Sequence, residues 1–371
     1  MNRKSIRIIL FISLIFLLSS FTILNNLVND KSSRTCFNSA VPQQELQSYS
    51  KYDFIPGDEI IFFDDFSDVA IGDFPLKWNT TASGEIVTLD NFEGKWFKMM
   101  EDYSYYSPEV QFVLPDNFTL EFEIIYADYH EWSLEFYKNP SPYIDDSYYP
   151  GDGGMGLNFL GEDIYLYNYN NLEDGEHRDV GKGVCRLIEP GEKVKYSIWG
   201  QNQRLRVYVD EKKVIDIPRA IPKNIDMNFM RFQLLTAMYM TNFRFAVGAP
   251  DTRSRLLNEG VFVTRGITFD SGSDKIKPES YAVLKEVAEA LKSAPDVRVR
   301  IVGHTDSDGA DESNLTLSQK RAESVKNALV NNFGIDASRF ETDGKGESQP
   351  VSPNNTPEGK SNNRRVEFIK L

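Results

Sequence analysis

Residues 297–322 read VRVRIVGHTDSDGADESNLTLSQKRA. The apolar residues at the start of this stretch predict a buried strand over 297–302. A short polar loop follows, and Thr316 with Gln319 has the form of a capping box, so we predict that a helix begins near Thr316. A strand that leads through a loop into a helix is a unit of an α/β domain, where ligand sites lie between strand ends and helix N-termini.

Two oppositely charged side chains flank this predicted loop. Asp306 leaves the strand end, and Arg321 is predicted to lie in the second turn of the helix. The two side chains are therefore expected to face each other across one pocket. A carboxylate beside a guanidinium suits a ligand that carries an ammonium and a carboxylate on one carbon. A simple salt bridge between Asp306 and Arg321 is the alternative interpretation of the same pair.

The surrounding sequence predicts a small α/β domain over residues 261–371. A strand is expected over 261–269, followed by a helix that begins near Pro278 and buries an apolar stripe. The second helix is predicted to end at Gly334, and two further strands are predicted after it, the last over 365–369. The predicted order is β-α-β-α-β-β, which forms one sheet covered by helices.

The chain begins with an export pattern. Basic residues precede an apolar run over 8–24, which predicts a signal peptide or an N-terminal membrane anchor over residues 1–24. Residues 25–57 are polar and predict a linker. Cys36 is an alternative site of lipid attachment, and Cys36 and Cys185 either form a disulfide or remain unpaired thiols.

The middle of the chain, residues 58–248, predicts an all-β domain, joined to the next by a connector over 249–260. Apolar and polar residues alternate strictly over 118–124, so this strand has one apolar and one polar face. Residues 194–209 have the pattern of a hairpin. Many short strands without a helical window predict a sandwich. The domain is loosely similar to laminin-G-like and concanavalin-like jelly rolls, a resemblance that leaves glycan binding open.

Tyrosines are concentrated in this middle domain. They are Tyr103, Tyr105, Tyr106, Tyr143, Tyr148, Tyr149, Tyr165, Tyr167 and Tyr169. They either pack within strands, which aromatic residues favour, or form a platform for sugar rings. A glycosidase with paired carboxylates is a further alternative because acidic residues are abundant, but no spacing singles out two of them.

The overall composition excludes some classes of function. The chain has a net charge of −14, and no basic stripe is present, so nucleic acid is not an expected partner. Two cysteines and three scattered histidines do not indicate a metal site. No cofactor is expected.

Several spaced motifs in residues 261–371 closely resemble the OmpA-like peptidoglycan-binding domain. They are Gly303-His304-Thr305-Asp306, Asn314, Leu317-Ser318, Arg321-Ala322, Gly344-Lys345-Gly346 and Asn363-Arg364-Arg365-Val366-Glu367. The resemblance implies a domain that binds the diaminopimelate of the peptidoglycan stem peptide without catalysis.

The free end of diaminopimelate carries an ammonium and a carboxylate, and these two groups suggest a role for each residue in the motifs above. Asp306 is expected to accept from the ammonium, and Arg321 to grip the carboxylate. Backbone N–H groups at the helix start are expected to add donors. Asn314 is expected to order the loop or touch the ligand, and Leu317 to pack against the ligand's aliphatic part. The predicted ligand-binding residues are Asp306, Arg321, Asn314, Leu317 and Thr305, and the supporting residues are His304, Arg364 and Arg365.

The supporting residues have structural roles in this prediction. No nucleophile pattern surrounds His304, so we expect it to be hydrogen-bonded beside the strand rather than catalytic. One of Arg364 and Arg365 is expected to brace the pocket, and the other to face solvent.

The sequence as a whole predicts a non-enzymatic protein of a Gram-negative-type cell envelope, exported to the periplasm or the outer membrane. In this prediction an all-β jelly-roll sandwich is followed by an α/β OmpA-like domain, which tethers it to peptidoglycan. Two alternatives concern the sandwich. It is either a glycan-active enzyme that the C-terminal domain localises, or a docking domain for another envelope protein.

Overall fold

The computed structural model describes residues 52–100, 103–129, 131–170, 177–248 and 252–371. The predicted export segment 1–24 and Cys36 lie outside these residues, so the cysteine pairing stays a prediction. Cys185 is buried in the sandwich. Within the described ranges, no helix has both the length and the apolar character needed to cross a membrane.

Antiparallel strands form a two-layer sandwich from Glu59 onward. The strands are β1 (Glu59–Asp64), β2 (Trp78–Thr80), β3 (Gly84–Leu89), β4 (Phe92–Met99), β5 (Ser104–Pro108), β6 (Asn117–Tyr126), β7 (Glu131–Tyr137), β8 (Gly154–Leu160), β9 (Asp163–Tyr169), β10 (His177–Val184), β11 (Lys193–Gln201), β12 (Arg204–Val209), β13 (Lys212–Ile217), β14 (Phe229–Leu234) and β15 (Met238–Val247). One sheet has the order β13-β12-β11-β6-β15-β4-β3, with β1 also paired to β15, and the other has the order β10-β9-β8-β7-β14-β5-β2.

The sandwich core lies between the two sheets and is rich in aromatic side chains. Phe122 of β6 is 1% exposed, and the rings of Trp132 and Phe159 stack with centroids 3.8 Å apart. Each fully buried side chain of this size stabilises the fold by roughly 1.5–3 kcal/mol. The predicted hairpin is confirmed: β11 and β12 pair antiparallel, and Asn202 in the turn takes the left-handed conformation with φ of 53°.

The polar face of β6 is buried, although the alternation of apolar and polar residues along this strand is typical of a strand with one face in solvent. Thr119 and Glu121 are 1% and 8% exposed. Thr119 Oγ1 accepts from the backbone N–H of Gly57, 2.9 Å away, and Glu121 pairs with Arg244. This face is therefore covered by other parts of the chain.

The C-terminal domain follows a short helical segment, Thr252–Ser254 and Arg255–Glu259. Its elements are β16 (Val261–Thr264), α1 (Tyr281–Ser293), β17 (Val299–Gly303), α2 (Asp311–Phe333), β18 (Phe340–Gly344), α3 (Pro357–Asn363) and β19 (Val366–Lys370). The sheet order is β16-β19-β17-β18, and β17 pairs parallel to β18. The prediction of an all-β sandwich followed by an α/β domain is confirmed, with α3 as a helix that the sequence did not predict.

The predicted start of helix α2 is wrong. The helix begins at Asp311, after Ala310, and its N-cap has no side-chain hydrogen bond. Thr316 and Gln319 therefore lie inside the helix and form no capping box. Asp311 and Glu312 occupy the first turn, where negative charge is favoured by the helix dipole. Arg321 lies about three turns into the helix, which is well beyond the predicted second turn.

Helix α2 packs directly on the ends of β17 and β18, where only glycine fits. A Cβ on Gly303 would lie 2.3 Å from the carbonyl oxygen of Ser318, and one on Gly344 would lie 2.4 Å from the backbone nitrogen of Gln319. The predicted helix end is confirmed, because Gly334 caps α2 with a φ of 71°. The glycines thus fix how closely the helix that carries Arg321 approaches the strand that leads to Asp306.

Substitution Gly344→Ala should destabilise the C-terminal domain by about 1–3 kcal/mol, because the added methyl group overlaps the backbone of α2. Chemical denaturation monitored by circular dichroism measures this change. Ser313→Ala, on the exposed side of the first turn of α2, is the control and should leave the midpoint unchanged. An unchanged midpoint in Gly344→Ala would show that the helix is not held at this distance.

Candidate functional site

Arg321 is held in place without a carboxylate partner. Its Nε donates to the carbonyl oxygen of Ser273 over 2.9 Å, and its guanidinium lies 4.8 Å from the centroid of the Phe269 ring. Among the residues that the structure describes, none forms a hydrogen bond or ion pair with its two terminal nitrogens. Burial lowers the pKa of Arg321, and the nearby Asp306 carboxylate opposes that effect. The guanidinium is therefore oriented and partly desolvated, and the four N–H donors of its two terminal nitrogens are left for a ligand.

Asp306 lies beyond the end of β17 and is 8% exposed. Its Oδ1 accepts from the backbone N–H of Asp308 at 3.1 Å, and its Oδ2 accepts from Arg364 Nη1 at 2.5 Å. The ion pair at this site is thus Asp306–Arg364, and the alternative of an Asp306–Arg321 salt bridge is not observed. An ionised carboxylate has about four acceptor positions, so Asp306 retains capacity for a further donor.

Asn314 orders the loop that carries Asp306. Its Nδ2 donates to the carbonyl oxygens of Asp306 and Asp308, at 3.2 and 3.1 Å. The same nitrogen donates to Glu347 Oε2 at 2.6 Å. Asn314 is 5% exposed. Of its two expected roles, ordering the loop and touching the ligand, these contacts correspond to ordering the loop.

Leu317 and Thr305 occupy different surroundings. Leu317 is half-buried and lies one helical turn before Arg321, on the same face of α2. Thr305 is buried, and its backbone N–H donates to the carbonyl oxygen of Gly346 at 3.0 Å. Its Oγ1 has no hydrogen-bond partner among the described residues. Their predicted contacts with a ligand stay predictions.

His304 and Arg365 contact each other and β19. The backbone N–H of His304 donates to the carbonyl oxygen of Arg365 at 3.0 Å. His304 Nε2 lies 3.3 Å from Glu367 Oε1, an ion-pair distance without the geometry of a hydrogen bond. Arg365 Nε donates to the same carboxylate at 2.8 Å.

The expectation that one of the two arginines faces solvent is wrong. The side chain of Arg365 is 4% exposed, because it also donates to the carbonyl oxygens of Asn363 and Gln349. Arg364 braces the pocket through Asp306 and is half-buried. The sequence pattern could not separate these roles, since the contacts that bury Arg365 come from outside its strand.

Sequence reasoning missed three residues that shape the site. Phe269 and Ser273 hold Arg321, and Glu347 holds Asn314. Phe269 was assigned to a strand, but β16 ends at Thr264 and Phe269 forms only an isolated bridge with Ile276. A carbonyl acceptor such as that of Ser273 leaves no signal in residue type, so only the fold reveals it.

The grooves of the sandwich differ in the acidic residues that line them. A groove of about 730 Å³ beside β14 has Glu109 as its one acidic lining residue. Four of the nine tyrosines are buried, Tyr105, Tyr106, Tyr167 and Tyr169, and three are exposed, Tyr103, Tyr143 and Tyr148. Of these, Tyr143 lines the groove. In the described part of the chain, no group of three or more His, Cys, Asp or Glu side chains is placed to hold a metal.

Residues 268–364 match the OmpA family, a range that contains Asp306, Arg321 and Arg364. The C-terminal domain is an OmpA family domain. The probable lipoprotein YiaD of Escherichia coli (strain K12) is 43% identical over 127 residues, which are 31% of this chain and 58% of that protein. The peptidoglycan-binding protein ArfA of Mycobacterium tuberculosis (strain ATCC 25618 / H37Rv) is 41% identical over 108 residues, which are 29% of this chain and 33% of that protein. The chain therefore spans less than two thirds of either relative.

A solved structure also resembles this chain, over a larger share of the chain than either of these relatives. The carbohydrate-binding module CBM66 from Bacillus subtilis is 17% identical, covers 46% of this chain and 95% of that chain, and has a TM-score of 0.33. A likeness of this degree assigns no ligand to the sandwich.

Glu367→Gln should destabilise the OmpA family domain in a pH-dependent way. Contact with His304, and then with Arg365, lowers the pKa of Glu367 from its ordinary value of 4.5. A lowered pKa means that the ionised form stabilises the fold above the unfolded pKa, and that this contribution is lost as the pH falls through the folded pKa. We expect a loss of about 1–3 kcal/mol at pH 7, which disappears in acid.

Unfolding curves of wild type and Glu367→Gln between pH 7 and pH 3 measure this dependence. Glu341→Gln is the control, because Glu341 pairs with Arg298 and Arg300 at an exposed edge. The control should change stability less at every pH. A Glu367→Gln effect that is constant with pH would contradict the electrostatic account.

Proposed function

We propose that this protein is a non-catalytic tether of the cell envelope. Its OmpA family domain binds the diaminopimelate of the peptidoglycan stem, and the β-sandwich is thereby held at the wall. The observation that carries this proposal is the oriented guanidinium of Arg321, whose two terminal nitrogens have no partner among the described residues and lie near the carboxylate of Asp306.

The two charged groups match the free end of diaminopimelate, which carries one ammonium and one carboxylate on the same carbon. The terminal nitrogens of Arg321 receive the carboxylate, in bidentate form where the geometry allows. Asp306 accepts from the ammonium through a lone pair that Asp308 and Arg364 do not use. Partial burial strengthens both contacts, because charges interact more strongly where water is excluded.

The remaining predicted residues position these two groups. Asn314 fixes the loop of Asp306 through two carbonyl oxygens. Arg364 orients the Asp306 carboxylate through their ion pair. Leu317, on the face of α2 that carries Arg321, offers apolar contact to the methylene groups of the ligand.

The relatives support this proposal. ArfA is named as a peptidoglycan-binding protein, and it is 41% identical over 108 residues. The outer membrane porin F of Pseudomonas aeruginosa is 43% identical over 109 residues, and its name places it in the cell envelope. Together with the apolar run over 8–24, these names favour an exported protein of the periplasm or the outer membrane.

Arg321→Ala and Asp306→Ala should each abolish co-sedimentation of the full-length protein with purified peptidoglycan. Removing one partner of a largely desolvated charge contact costs about 2–5 kcal/mol, which is enough to move the protein from the pellet to the supernatant. Arg298→Ala is the matched control, because this arginine is 55% exposed and pairs with Glu341. The control should pellet like wild type.

Two results would contradict the proposal. Wild type that stays in the supernatant would exclude wall binding under these conditions. Pelleting of wild type and both site variants to the same extent would show that the wall is bound elsewhere. Circular dichroism of each variant separates a lost contact from a lost fold.

A further inference from the structure

A cavity of about 300 Å³ lies between the sandwich and the OmpA family domain. The sandwich contributes Glu121 of β6, Lys195 of β11 and Arg244 of β15, and the C-terminal domain contributes Arg321 and Arg364. Arg321 and Arg364 both belong to the site described above, so the cavity adjoins that site on the Arg321 side, while Asp306 does not line it. The second domain thus forms one side of the space that a ligand of Arg321 enters.

The two domains are joined around this cavity by direct polar contacts. Lys77 Nζ lies 2.8 Å from Glu358 Oε1, and Arg265 Nη1 donates to the carbonyl oxygen of Asp58 over 2.7 Å. Arg255 also pairs with the Asp58 carboxylate. These contacts span the sandwich edge, the connector and α3, so the sandwich residues are held at the cavity.

The cavity is cationic, although the chain as a whole has a net charge of −14. Seven lysine and arginine side chains line it, against three glutamates. Glu121 is shared between Lys195 Nζ and Arg244 Nη1, each at 3.1 Å. The net charge of these three side chains is +1, because the one carboxylate of Glu121 pairs with both cations.

Two cations of the C-terminal side have no carboxylate partner. Among the described residues, the ammonium of Lys277 forms no ion pair or hydrogen bond. Arg265 donates only to the carbonyl oxygens of Asn362 and Asp58. Burial, together with the charges of neighbouring arginines, lowers the pKa of Arg265, and the nearby Asp58 carboxylate opposes this effect. Partly buried cations that lack anionic partners favour the binding of an anion from outside.

We propose that this cavity is a second subsite of the wall-binding site, in which Lys195 of the sandwich and Lys277 receive a further carboxylate of the same stem peptide. The inference rests on the proposed function, since it places the diaminopimelate end on Asp306 and Arg321. It adds that the sandwich recognises the wall directly. The ligand class is a stem peptide with at least one free carboxylate besides the one that Arg321 holds.

Two synthetic peptides test this subsite by calorimetry on the full-length protein. One is L-alanyl-γ-D-glutamyl-meso-diaminopimelate. The other has the same sequence, but the carboxylates outside the free amino-acid end of diaminopimelate are carboxamides. Both present the same ammonium and carboxylate to Asp306 and Arg321. Wild type should bind the acid form about 10- to 100-fold more tightly, the range expected for one charge-assisted hydrogen bond.

Lys277→Gln and Lys195→Gln should each reduce this preference for the acid peptide, and leave the affinity for the carboxamide peptide unchanged. Arg321→Ala should weaken both peptides. Lys275→Gln is the matched control, because Lys275 is 79% exposed, does not line the cavity, and lies close to Lys277 in sequence. The control should keep the full preference.

The outcomes separate this inference from the proposed function. Equal affinity of wild type for the two peptides would overturn the second subsite while leaving the Arg321 site intact. A preference that survives in both Lys277→Gln and Lys195→Gln would also overturn it. Failure of wild type to bind either peptide would overturn the proposed function, and the subsite with it.

Discussion

Helix α2 lies so close to the ends of β17 and β18 that a Cβ on Gly303 or Gly344 would overlap its backbone. This constraint sets the geometry of the site. Asp306 follows one of these strands, and Arg321 extends from the helix, so their separation depends on how closely the helix packs. The arrangement requires glycine at two strand ends and a polar, ordered loop between strand and helix, which Asn314 provides.

Arg321 shows why the site is poised for a ligand. Burying a charge is costly unless it is paired, yet the partners of this guanidinium within the described ranges are a carbonyl oxygen and an aromatic ring. Asp306 is close enough to influence its pKa but is paired with Arg364 instead. In the proposed function, a ligand with an ammonium and a carboxylate on one carbon would contact both groups, its carboxylate at Arg321 and its ammonium at Asp306.

Local patterns predicted the elements of the fold well. The alternation over 118–124 lies within β6, the hairpin of β11 and β12 is present, and Gly334 ends α2. The start of α2 was missed because its first buried residue is the polar Asn314, which adds nothing to an apolar stripe.

Features that depend on distant parts of the chain could not be predicted from the sequence. Glu121 appeared to face solvent, but it is buried against Lys195 and Arg244. For the site, Asp306 and Arg321 were selected by their motifs. Arg364 was also selected by its motif, but which of the two neighbouring arginines braces Asp306, and that Ser273 holds Arg321, are set by the tertiary fold. The sequence therefore shows which side chains are charged, but not which of them form ion pairs with each other.

A crystal structure of the full-length protein with L-alanyl-γ-D-glutamyl-meso-diaminopimelate tests the central claim most directly. The account predicts a carboxylate of diaminopimelate within about 2.7–3.2 Å of the terminal nitrogens of Arg321. It also predicts the ammonium on the same carbon at hydrogen-bond distance from Asp306. A peptide bound elsewhere, with Arg321 still on Ser273 and Phe269 and no ligand contact, would contradict it.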